Sequence, residues 1–121
     1  MDKEVQQQHL NNIIRGIEEI KADTVGINYE TFRKEEQVKE SVYANMQMIG
    51  EAAYELSHAS DNKGDLNFNT DILAGFRNAR YNSEAEINHQ SVWGVIESEL
   101  DIIHDEALEA SAKLGKPDDT L

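Results

Sequence analysis

Proline occurs once in this chain of 121 residues, at Pro117, and only seven glycines punctuate the rest. A β sandwich needs a turn every ~8–12 residues, and turns are written with glycine and proline. This chain has too few of either, so long helices are the fold class it can support.

The apolar residues repeat at helical spacing. Leu10, Ile13, Ile14, Ile17 and Ile20 form one stripe, predicting a helix over about 3–21 with Arg15, Glu18, Glu19 and Lys21 on its wet side. Asp23-Thr24-Val25-Gly26 reads as its exit, and a short helical turn around Phe32 is expected over 29–36, its ring dropping onto the core. A second long helix runs over about 35–57 on Val38, Val42, Met46, Ile49, Ala53 and Leu56, with Tyr43, Gly50 and Tyr54 on a neighbouring stripe. A glycine inside a helix costs about 1 kcal/mol relative to alanine, so Gly50 is expected to be a packing notch. His58 to Asp65 is a loop rich in turn residues. A third helix starts near Thr70 or Asp71, presents Ile72, Leu73 and Phe76, and ends near Tyr81. A linker over 83–88 leads to one last helix over about 88–114, lined by Val92, Val95, Ile96, Leu100, Ile103, Ala107, Ala110 and Leu114. Trp93 is expected at a helix contact or a subunit interface. Gly115-Lys116-Pro117 ends the helix. The expectation is one all-α domain over 1–115, an antiparallel up-and-down four-helix bundle with a short extra helix, and a tail over 116–121.

Charge and cysteine usage narrow the function classes. Asp and Glu number 24 against 11 Lys and Arg, a formal net charge of −13. A field of that sign opposes non-specific binding to phosphate backbones, so DNA is not an expected partner. RNA, if handled, must meet a local pocket around a few arginines. The chain has no cysteine, which excludes disulfides and thiolate metal sites and suits a reducing cytoplasm. The first residues, Met1 to His9, are too polar for a signal peptide, and no apolar run approaches the ~18–20 residues of a membrane span.

The densest polar chemistry lies in Gly75-Phe76-Arg77-Asn78-Ala79-Arg80-Tyr81-Asn82, where an apolar helical segment runs out. With its neighbours this stretch resembles the HepT-like ribonucleases of the HEPN superfamily. In that family an Arg-Asn or Arg-Asp pair leads, after three intervening residues, to a histidine. Here Arg77-Asn78 is present and the histidine position is Asn82. The similarity runs from about His9 to Leu114 in three blocks: Gln37 to Leu56, containing Asn45 and Ile49-Gly50-Glu51-Ala52-Ala53; Ile72 to Asn82; and Ser91-Val92-Trp93. The resemblance implies a HEPN-like bundle that forms a homodimer with two motifs at a shared cleft. It also implies a toxin acting as a metal-independent endoribonuclease, without cofactor, and paired with a nucleotidyltransferase antitoxin of the MNT type.

The chemistry explains why those residue types matter. Metal-free RNA cleavage sends the ribose 2′-hydroxyl onto its own phosphate and builds up negative charge there. An arginine suits that charge because its planar fork donates two parallel hydrogen bonds and stays protonated. Arg77 has that role by position, Arg80 can assist one turn along, and Asn78 and Tyr81 flank them as RNA or nucleotide contacts. Proton transfer to the leaving oxygen wants a group titrating near neutrality, hence the usual histidine. Asn82 donates and accepts hydrogen bonds but does not ionise. Losing such a group costs about 10²–10⁴-fold in rate. Five residues of helix separate two side chains by roughly 140°, so Arg77 and Asn82 can share a pocket only if the helix ends between them. Asn82 also suits a plain helix end. A tyrosine that some family members carry two residues after the histidine, where the partner adenylylates it, is replaced here by Glu84. His89, near the start of the last helix, is a weak candidate for a substitute acid; a solvated or capping role is expected for it.

Two other classes compete. Glu55-Leu56-Ser57-His58 and Asp101-Ile102-Ile103-His104 are carboxylate-x-x-His patterns of the kind that holds two metal ions inside a four-helix bundle, with Glu18 or Glu19 as a further ligand. His58 falls at a helix end, and 24 acidic residues make such pairs easily. A non-catalytic subunit is the other class, keeping the bundle and using Arg77 and Arg80 only to hold RNA, nucleotide or partner.

Overall fold

The computed structural model describes residues 3–57 and 86–115, and every regular element among them is helical. In chain order these are α1 (Lys3–Thr24), α2 (Tyr29–Lys34), α3 (Glu36–Ser57), α4 (Glu86–Ser98) and α5 (Leu100–Gly115). The loop expected over 58–65, the helix expected over 70–81 and the tail 116–121 lie outside the described residues.

The α1 stripe does what its spacing demands. Leu10, Ile13, Ile14, Ile17 and Ile20 are all buried, in one cluster with Val42, Met46, Ile49, Ala53 and Leu56 of α3 and Leu100, Ile103, Ala107 and Ala110 of α5. The helix runs three residues past its expected end, to Thr24, whose Oγ1 donates to the Ile20 carbonyl at 2.8 Å. Gly26 then turns the chain with φ of 77°, a backbone region that favours glycine.

Local caps define α2. The Asn28 side chain accepts from the Thr31 backbone N–H at 3.0 Å, and Glu30 occupies the first turn. At the other end Lys39, itself buried, sends its Nζ to the Arg33 carbonyl at 2.7 Å. This donor meets one of the carbonyls a helix end leaves open. So held, α2 seats Phe32 in the core, its ring centroid 5.1 Å from that of Trp93. Trp93 is therefore a helix contact within the chain, and Tyr29 completes the aromatic cluster at 6.4 Å.

Cross-contacts fix the directions of the long helices. Asp23 accepts from Ser41 at 2.6 Å, and Gly16 faces Ile49, so α1 and α3 are antiparallel. Lys21 pairs with Asp101, Glu18 with His104 and Gln7 with Ser111, so α1 and α5 are antiparallel too.

The last helix departs from the single span expected over 88–114. It breaks at Glu99 into α4 and α5. Backbone hydrogen bonds still cross the break, from Glu99 N–H to Val95 at 2.9 Å and from Ile103 N–H to Glu99 at 3.0 Å. Ser98 Oγ also donates to the Gly94 carbonyl at 2.6 Å, a side-chain bond of the kind that bends helices. The register shows that the axis turns. Asp101 sits beside Lys21, near the end of α1 that meets Ser41, while His89 reaches Tyr43 at that same end of α3. A straight helix would separate residues 89 and 101 by about 18 Å along the axis. Thus the chain turns after α4, which packs against α2, and α5 then runs along α1.

Candidate functional site

Arg77, Asn78, Arg80, Tyr81 and Asn82 all lie outside the described residues, as do Glu84 and His58. What the structure supplies is the framework on either side of them: the whole of α3 before, and α4 after.

The first block of the resemblance, Gln37 to Leu56, falls entirely on α3. Its apolar members Ile49, Ala52, Ala53 and Leu56 are buried, as is Gly50 between them. Asn45 is buried as well and turns its Nδ2 back to the Ser41 carbonyl at 3.1 Å. A second glycine, Gly16 of α1, forms a tight notch against α3. A Cβ built there would stand 2.8 Å from Ile49 Cγ1 and 3.1 Å from Met48 Cε. A helical glycine with no obvious local reason was the available signal, but the sequence gives no facing residue for it.

Ser91-Val92-Trp93 falls in the middle of α4, with Ser91 exposed, Val92 half-buried and Trp93 buried. One turn earlier is His89, which overturns the expectation of a solvated or capping residue. It is 2 % exposed, and the Tyr43 hydroxyl lies 2.7 Å from its Nδ1. The two rings meet edge to face, centroids 5.7 Å apart and planes at 76°. Tyr43 is only 4 % exposed, so this polar contact sits inside the junction of α3 and α4. An enclosed imidazole held by a phenol is placed to fix a helix, and its enclosure sets it apart from a group standing ready in a solvated cleft.

Both residues of the carboxylate-x-x-His pattern on α5 meet side chains of α1. Asp101 forms an ion pair with Lys21, and His104 Nε2 lies 3.1 Å from Glu18 Oε2. Hydrogen bonding from Lys21, followed by its charge, holds the Asp101 carboxyl below the ordinary carboxylate range. Residues 18 and 21 of α1 and 101 and 104 of α5 are each one turn apart, so the antiparallel register delivers both contacts together. Glu18 does reach His104, as the metal reading requires, but no three His, Asp or Glu side chains converge among the described residues. None of the helices described is long and apolar enough to cross a membrane.

No protein-family model matches the chain, and no curated protein and no solved structure matches it either.

Proposed function

We propose that this chain is a HepT-like toxin subunit of a HEPN and MNT pair, carrying the metal-independent endoribonuclease fold with an impaired proton-transfer position. The observation that carries the reading is the ordered run Arg77-Asn78-Ala79-Arg80-Tyr81-Asn82 at the end of the apolar segment holding Ile72, Leu73 and Phe76. The two flanking blocks of the resemblance lie on the helices α3 and α4, which supports the same reading. In it, the segment over 70–81 completes an up-and-down four-helix bundle of HEPN type. Two copies pair across their motifs in the cytoplasm, and a nucleotidyltransferase antitoxin binds the dimer.

Arg77 then binds the scissile phosphate, Arg80 and Tyr81 hold adjoining RNA, and Asn78 orients the guanidinium. Asn82 occupies the acid/base position without a titratable proton. That single residue favours a second reading, a subunit that binds RNA or its partner and does not cut.

The deciding experiment expresses the chain with and without the neighbouring open reading frame and scores growth arrest. It is paired with RNA cleavage by the purified protein in excess EDTA. Cleavage abolished by Arg77→Ala supports the nuclease. Binding of RNA or of a nucleotidyltransferase without cleavage supports the second reading. Bound iron or manganese at stoichiometric level would overturn both.

A further inference from the structure

We draw no further inference here: the strongest candidate, the buried Tyr43–His89 pair at the junction of α3 and α4, is accounted for as a contact that fixes one helix on another, and nothing among the described residues shows a ligand or partner that would use it.

Discussion

The Tyr43 hydroxyl lies 2.7 Å from His89 Nδ1, joining residues 46 apart in the chain across the junction of α3 and α4. Removing that hydroxyl while keeping the ring leaves a buried ring nitrogen short of this partner, which costs about 1–3 kcal/mol. Tyr43→Phe is therefore expected to lower stability by that amount in urea unfolding. His89→Ala should lower it further by opening a cavity. In the double variant the two losses should be less than additive, because the hydroxyl of one residue meets the ring nitrogen of the other. Strict additivity would mean that the pair does not couple the helices.

How much of this was legible beforehand differs by element. The stripe of Leu10, Ile13, Ile14, Ile17 and Ile20 announces a helix and its buried face, since a repeat of 3.6 residues leaves one side dry. Gly26, in the expected exit Asp23-Thr24-Val25-Gly26, marks the end of α1 by backbone chemistry that acts within a few residues. The break at Glu99 escapes the same reading, because Val95, Ile96, Leu100 and Ile103 keep their helical spacing across it. Periodicity reports which face is apolar, not whether the axis is straight. Likewise His89 looks polar in sequence, and its burial depends on Tyr43, a partner that periodicity cannot name. The residues proposed for the chemistry, Arg77 and Asn82, rest on the resemblance and lie outside the described residues.

Gly16 gives a test in which the sign of the effect should reverse. Alanine is worth about 1 kcal/mol more than glycine inside a helix. Here the added methyl meets Ile49 Cγ1 at 2.8 Å, and Ile49 is itself fully buried. Overpacking of that kind typically costs about 1–3 kcal/mol. Gly16→Ala should thus destabilise the wild type in chemical denaturation. In an Ile49→Ala background only Met48 Cε, the far end of a flexible side chain, stays close at 3.1 Å, and the same change should be stabilising.

Phe32 anchors the six-residue α2, which is too short to persist without tertiary contacts. Its ring is fully buried against Trp93. Phe32→Ala should cost about 3–5 kcal/mol. Tryptophan emission, which arises from Trp93 alone, should shift to longer wavelength as water reaches the indole. Unchanged emission in a folded variant would show that α2 does not shield that ring.

The Lys21–Asp101 pair predicts a pH dependence of definite sign. Lys21 lowers the folded-state carboxyl below its ordinary value of 3.8, so folding favours the ionised form. Its stabilising effect is present above that ordinary value and is lost as pH falls through the lower folded value. Both groups are exposed, so the contribution is small and screened by salt. A double-mutant cycle with Lys21→Gln and Asp101→Asn cancels the separate effect of each change on the net charge of −13. The coupling energy should be favourable at pH 7 and low salt, weaken at 1 M salt, and decline as pH falls below the ordinary carboxyl value of 3.8. A coupling at pH 7 that 1 M salt leaves unchanged would assign the contact to something other than an ion pair.

Asn82→His is the substitution on which the proposed chemistry turns. If the chain has the nuclease fold and lacks only its proton-transfer group, restoring an imidazole should raise EDTA-resistant RNA cleavage by about 10²–10⁴-fold. The gained activity should carry a signature of its own. Donation to the leaving oxygen needs the protonated ring, so the rate should fall as pH rises through about 6.5. Asn82→Gln offers similar polarity without titration and should gain nothing. Adding Arg77→Ala to the histidine variant should remove the gain, because the phosphate then loses its cation whatever stands at position 82. If Asn82→His stays folded and silent while RNA still binds, the chain is the binding subunit, and Arg77 and Arg80 serve to hold RNA without cutting it.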